Sequence, residues 1–357
     1  MKTLNILRLS FFLFVIFLPL SSCSNPASSP ESEFVLGTIC TANLFEKGKP
    51  ALYSQVFGRL RELEDIFSAN REGTDLDKIN QYAGIKPVRV RHELIEVLEI
   101  ALEYAEKSSG YFDPSVGPLV KLWGIGSDNP GIPKEKEIKE ALNLIDYRNI
   151  EIDKTEGTVF LKQEKMSLDL GAIAKGYAAD EISKILGEEG IKRAIIDLGG
   201  NVLALGERSK GKIFGKNKDD EENFWRIGIQ DPADSRGTYI GVVKVKNKSV
   251  VTSGIYERFF EEGGKRYHHI LSTENGFPVE NGLLSVTIIT EKSIIADALS
   301  TAVFTLGWEK GCELLASVEG AEGIFVFDDM TMYLTAGLEN YFTLTAMKYK
   351  TNMMSNN

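Results

Sequence analysis

Ser167-Leu-Asp-Leu-Gly-Ala-Ile-Ala-Lys-Gly-Tyr-Ala-Ala-Asp180 reads as a strand, a glycine turn and a helix. Gly171 and Gly176 have the spacing of a phosphate-binding loop. Tyr177, however, stands where such a loop needs lysine, and Ala178 replaces its Ser or Thr. Gly199-Gly200 followed by Gly206 likewise lacks the dinucleotide fingerprint. Taken alone, each glycine pair is a turn.

The flanking elements rule out a doubly wound architecture as well. Val56, Leu60, Leu63 and Phe67 fall at helical spacing, as do Leu94, Val97, Leu98, Ala101 and Tyr104. These predict amphipathic helices over 54–67 and 93–107. A third is expected over 133–144 with Pro133 in its first turn, and a fourth over 173–186. Residues 149–153 and 158–162 alternate as half-buried strands, and 194–198 is a short buried strand. The C-terminal half is strand-rich at 225–229, 239–246, 284–290, 324–327 and 332–336, with helices at 294–304 and 309–315. Strands and helices do not alternate regularly, so the fold class is α+β with mostly antiparallel sheet packed with helices. Residues 209–222, rich in Lys, Gly, Asn and Asp, read as an exposed loop.

At the N-terminus, Lys2 and Arg8 precede an apolar run from Phe11 to Leu20, which is too short to span a bilayer. The run ends in Leu20-Ser21-Ser22-Cys23, the form of a bacterial lipobox. Residues 1–22 are therefore expected to be a signal peptide, Cys23 the lipidated residue, and 23–33 a flexible tether. The expected location is a membrane-anchored lipoprotein facing the periplasm, with the inner membrane favoured. A domain over 34–345 and a disordered tail over 346–357 follow.

The net charge of −10 becomes −12 once Lys2 and Arg8 are removed, which argues against a nucleic-acid partner. Cys40 and Cys312 read as buried thiols, and no Cys/His cluster suggests zinc.

Three segments carry chemistry. The glycine turn at 171–176 aims backbone N–H groups at the end of a helix, where an anion fits. Lys175 in that first turn opposes the helix dipole unless an anionic partner is present. Asp297 and Thr301, four apart, share a helix face in apolar surroundings. With a backbone carbonyl near Ala172 they would form an all-oxygen site suited to magnesium. The third segment, 251–270, reads as a hairpin with its first strand ending near Phe260 and its turn at 261–265. His268 and His269 lie on the return strand, and only one of them can face a site.

Together these segments resemble the ApbE family of FAD:protein FMN transferases. The resemblance rests on Leu36-Gly37-Thr38, on 110–124 (Gly-Tyr-Phe-Asp-Pro-Ser-Val-Gly-Pro-Leu-Val-Lys-Leu-Trp-Gly) and on Leu168 to Gly176. It continues through Asp197-Leu-Gly-Gly-Asn201, 225–232, 252–258, His269-Ile270 and Ala296-Asp297 to Thr301. It implies an ApbE-like, T-fold-related domain of two lobes with FAD in the cleft between them. By the same resemblance, Leu36, Asn70, Tyr111, Phe112, Asp113, Asp169, Lys175 and Leu271 match the FAD contacts. Ala172 (carbonyl), Asp297 and Thr301 match the ligands of Mg2+. The implied reaction moves FMN from FAD to a Ser or Thr hydroxyl of a target flavoprotein and releases AMP. Asp297 would take the hydroxyl proton and His269 would support the phosphate.

Two departures stand out. The family's Asp-Pro-Arg-Thr-Gly turn becomes Ser272-Thr273-Glu274-Asn275-Gly276. Asn70 stands where most members carry a tyrosine that would stack on FAD. Members with this replacement, notably in treponemes, hydrolyse FAD to FMN and AMP, so diphosphatase activity is expected beside transfer. The alternative class is a non-catalytic flavin-binding or storage lipoprotein.

Overall fold

The computed structural model describes residues 29–45, 50–208 and 223–354. The signal segment, Cys23 and the expected loop 209–222 lie outside the described residues.

A nine-stranded sheet has the order β1 (Glu31–Val35), β2 (Thr38–Leu44), β6 (Ala194–Leu198), β7 (Asn201–Leu205), β10 (Lys248–Gly254), β13 (Leu283–Thr290), β14 (Glu322–Phe327), β15 (Thr331–Leu334) and β17 (Lys350–Met353). Its pairings are antiparallel except for β15 with β17. Successive residues of a strand point to opposite faces, and both faces of this sheet are apolar. Leu203, Val251, Ile288 and Phe325 enter one core, and their neighbours Ala204, Val250, Ile289 and Ile324 enter another.

Helices fill the first core: α1 (Pro50–Phe67), α2 (Asp75–Gln81), α3 (His92–Lys107), α6 (Ala174–Glu188), α7 (Ser293–Leu306) and α8 (Trp308–Ala316). The second is covered by a three-stranded sheet of β16 (Phe342–Leu344), β9 (Tyr239–Val245) and β8 (Trp225–Gln230). A smaller apolar cluster joins α4 (Gly117–Trp123), α5 (Glu135–Leu142) and Leu271, with the hairpin of β11 (Phe259–Glu262) and β12 (Lys265–His268) packed on it. A last sheet orders β3 (Val88–Arg89), β5 (Thr158–Leu161) and β4 (Ile150–Asp153). This is an α+β fold with mostly antiparallel sheet.

Several boundaries move. The tether ends earlier than residue 33, because Glu31 already pairs with Ala42. The tail expected over 346–357 is not structureless: Tyr349 is buried, and β17 runs parallel to β15. Tyr349 donates its hydroxyl to Asp231 at 2.5 Å, and that anchor holds a strand whose own sequence carries no strand pattern. Pro133 precedes α5, whose N-cap is Lys134. Glu137 accepts the Lys134 N–H at 2.9 Å and so starts the helix without proline. Only Ser167 of the segment before Gly171 makes a strand-like bridge, to Val116.

Candidate active site

The site forms where α6 crosses α7. Gly176, in the first turn of α6, donates its N–H to Asp297 Oδ2 at 2.8 Å. The α-helical acceptor of that N–H would be the Ala172 carbonyl, which therefore receives no backbone N–H among the described residues. One turn further along α6, Asp180 accepts the N–H groups of Ser293 (2.9 Å) and Ile294 (3.1 Å) and so caps α7. Each helix thus supplies a carboxylate to the N-terminal turns of the other, where unpaired N–H groups and the dipole favour negative charge.

Lys175 finds its anionic partner inside the protein. Its Nζ donates to the Gly171 carbonyl at 2.8 Å and lies 3.8 Å from Asp297 Oδ1. Burial pushes the Asp297 carboxyl above the ordinary carboxylate value, and the Lys175 charge and the Gly176 N–H offset part of that rise. Thr301 lies one turn beyond Asp297, with its hydroxyl 3.1 Å from Ser253 Oγ. Asn201 accepts the Ser293 hydroxyl at 2.8 Å, and its buried amide nitrogen meets no hydrogen-bond acceptor at full geometry among the described residues.

The two histidines separate cleanly. His268 is buried, with Nε2–H donating to the Val279 carbonyl at 3.0 Å and Nδ1 accepting the Ile270 N–H at 3.3 Å. It is a satisfied structural imidazole. His269 has Nδ1 3.2 Å from the Arg258 carbonyl. A carbonyl only accepts, so Nδ1 carries the proton and Nε2 of the neutral ring is an acceptor. Burial, then the Arg258 charge, hold its pKa below the ordinary imidazole value. The phosphate support expected of His269 needs a second proton that this environment opposes.

The remaining expected contacts vary in what they can offer. Leu36, at φ +55°, and Gly37 form the β1–β2 turn, and the Arg258 guanidinium donates to the Gly37 carbonyl at 3.3 Å. Asp169 accepts the Gly171 N–H at 2.8 Å and shapes the turn before α6. Phe112 is buried in the helix-side core and Leu271 in the cluster around Trp123, so their side chains serve packing. Asp113 is buried and already engaged by Ser115 N–H (2.8 Å), Ser115 hydroxyl (2.6 Å) and Tyr147 N–H (2.9 Å). Tyr111 has Lys310 Nζ 5.0 Å from its ring centroid. Asn70 is exposed in the α1–α2 loop, and its side chain makes no hydrogen bond among the described residues. The altered turn keeps a closed shape: Ser272 Oγ accepts the N–H groups of Glu274 and Asn275, as an aspartate carboxylate would.

Asn80, Asp180 and Ser253 were not singled out from the sequence. Asn80 accepts the Leu168 N–H at 2.7 Å and donates to the Leu168 carbonyl at 3.1 Å, which fixes the approach to Asp169. Asp180 and Ser253 fall within the quoted motifs, which was the available signal.

The donor set fits magnesium better than a softer metal. Among the described residues no group of three or more His, Cys, Asp or Glu could hold an ion. One carboxylate, a carbonyl and a hydroxyl remain, and magnesium completes such a set with water and phosphate oxygens. Asp297 Oδ1, Thr301 Oγ1 and the undonated Ala172 carbonyl are the atoms available.

The ApbE family model matches residues 36–325. The chain belongs to the ApbE family. A Treponema pallidum (strain Nichols) protein named FAD:protein FMN transferase is 41% identical over 330 residues, covering 89% of this chain and 90% of its own. A Klebsiella pneumoniae (strain 342) protein of the same name is 38% identical over 286 residues, covering 80% and 85%. Among solved structures, the ApbE protein of Thermotoga maritima superposes with a TM-score of 0.76 at 31% identity, covering 88% of this chain and 98% of its own. The flavin transferase ApbE from Vibrio cholerae gives 0.75 at 24%, a likeness of fold.

Proposed function

We propose that this ApbE chain is a magnesium-dependent FAD:protein FMN transferase that moves FMN from FAD to a Ser or Thr hydroxyl of a target flavoprotein and releases AMP. The observation that carries this reading is the nook at the start of α6. There the Lys175 ammonium lies 2.8 Å from the Gly171 carbonyl and 3.8 Å from the Asp297 carboxylate, one residue from the undonated Ala172 carbonyl. Asp297, Thr301 and the Ala172 carbonyl would hold magnesium, which supplies charge neutralisation for the diphosphate oxygens when bound. Lys175 sits at the same helix end and can turn from the Gly171 carbonyl to a phosphate oxygen. Gly176 and Asp180 lock α6 against α7, so the carboxylate is positioned before any ligand arrives.

Hydrolysis of FAD to FMN and AMP is part of the same proposal. Asn70 is small, polar and exposed, and cannot stack on a flavin nucleotide or exclude water as an aromatic ring would. Water is then the second acceptor. The lipobox at Cys23 supports a lipid-anchored enzyme on the periplasmic side of a bacterial membrane.

The test is AMP release from FAD and Mg2+ with no acceptor present. Release that falls when Asn70→Tyr is introduced supports the diphosphatase. FAD that stays intact under every condition, acceptor included, would remove the enzyme reading and leave flavin storage.

A further inference from the structure

A line of hydroxyl groups runs from Thr301 back to the main chain of Asp297. Ser253 lies on the face of β10 that carries Val251 into the helix-side core, and its backbone is held opposite Val286 of β13. Ser253 Oγ stands 2.9 Å from Ser300 Oγ and 3.1 Å from Thr301 Oγ1, so one strand hydroxyl bridges two successive residues of α7. Ser300 is buried and reaches back to the Asp297 carbonyl at 2.9 Å. Thr252, the next strand hydroxyl, points to the opposite face and pairs with Thr287 at 2.8 Å.

The direction of each bond follows from counting protons. A hydroxyl has one to give and a carbonyl has none. Ser300 gives its proton to the Asp297 carbonyl, so it can only accept from Ser253. Ser253 gives its proton to Ser300, so it can only accept from Thr301. Thr301 therefore donates to Ser253, and its hydroxyl has no other hydrogen-bond partner among the described residues. Its oxygen is left offering lone pairs with no proton in front of them, which is what a hard cation requires. Each bond in such a line also polarises the next, which makes that oxygen a better donor of electrons.

We propose that Ser253 and Ser300 are positioning residues that orient the Thr301 hydroxyl for a divalent cation shared with Asp297 and the Ala172 carbonyl. The inference rests on the magnesium reading and deepens it, because it names what prepares one of the expected ligands. The relay ends on the main chain of Asp297, whose side chain is another of them, so one turn of α7 sets both. Without Ser253, the Thr301 proton has no acceptor and is free to turn toward the cation. Without Ser300, the Ser253 proton turns to Thr301 instead, and Thr301 must point its own proton elsewhere.

The experiment is calorimetric titration of the full chain with Mn2+, which reads ion affinity without turnover. Removing a residue that orients a metal ligand weakens affinity about 10–100-fold, and Ser253→Ala should fall in that range. Ser300→Ala should weaken binding in the same direction. Ser253→Thr keeps the hydroxyl and should recover most of the wild-type affinity. In a Thr301→Val background no hydroxyl remains to orient, so adding Ser253→Ala should cost little more. A merely structural serine would cost the same in both backgrounds, and that result overturns the proposal. Wild-type affinity in Ser253→Ala overturns it as well. If Ser253→Ala does not fold, the same cycle run with Ser300→Ala decides. Thr301→Val that binds Mn2+ as wild type does, or wild type that binds none, would instead overturn the magnesium reading and the proposal with it.

Discussion

Gly176 and Asp297 meet so closely that a Cβ on the glycine would lie 2.8 Å from Asp297 Cβ, 2.6 Å from Ile294 Cα and 2.5 Å from the Ser293 carbonyl oxygen. Two of these three neighbours are backbone, so the helices must separate to admit a methyl group. Alanine would gain about 1 kcal/mol of helix propensity, but overpacking costs about 1–3 kcal/mol. Gly176→Ala should therefore lower the Tm by a few degrees and weaken FAD binding as the Asp297 carboxylate is displaced. Thermal melts with and without FAD and Mg2+ measure both. A Tm at or above wild type would mean the crossing is looser than it looks.

Asn80 holds the Leu168 peptide by both of its groups, at 2.7 and 3.1 Å. Asn80→Ala leaves that N–H and carbonyl without partners in a half-buried position, at a cost of about 1–3 kcal/mol. The turn through Asp169 and Gly171 would lose its fixed approach to α6. The expected outcome is a lower urea midpoint with an unchanged m-value, together with a raised KM for FAD. A change in stability with KM untouched would confine Asn80 to folding.

His268 makes stability depend on pH. Burial lowers its pKa in the folded state, although the Val279 carbonyl pulls the other way. Above the unfolded value near 6.5 the ring is neutral in both states and contributes no slope. As pH falls below that value the unfolded chain takes up a proton that the folded protein resists, so stability drops. The drop continues down to the folded pKa and then levels. Between pH 7 and 5 the Tm of wild type should fall more steeply than that of His268→Gln, when both are referenced to their values at pH 7.5. Parallel curves would show that another group sets the acid limb.

Much of the fold was legible because periodicity reports which faces are buried. The 3.6-residue spacing of Val56, Leu60, Leu63 and Phe67 lies within α1. The run Leu283–Thr290 mixes aliphatic residues with small hydroxyl residues and carries no charge, which suits a strand buried on both faces, and β13 does sit between two cores. Lys350–Met353 was illegible because its order comes from the Tyr349 anchor and a parallel partner, not from its residues. In the site, the misfit of Lys175 with its helix dipole was readable, and the structure answers it with Asp297. That Asp297 would reach Gly176, 121 positions away, depends on how two helices cross, and no local pattern encodes it.

The Lys175–Asp297 pair also predicts how metal and stability are linked. Asp297 is almost fully buried, and Lys175 supplies the cation nearest to it at 3.8 Å. Lys175→Met would leave that carboxylate facing no ammonium, at about 1–3 kcal/mol for an unsatisfied buried group. A divalent ion bound at the same oxygen would replace the missing charge. Lys175→Met should therefore melt well below wild type in EDTA and recover more than wild type does on adding Mg2+. Asp297→Asn, which keeps an oxygen for the Gly176 N–H but loses the charge, should show no Mg2+-dependent gain. Its AMP release should fall at least about 100-fold, in the range lost when a charge-stabilising group at a reaction centre is removed. Calorimetric titration with Mn2+ gives a reading independent of turnover. An Asp297→Asn protein that still bound the ion with wild-type affinity would place the metal elsewhere.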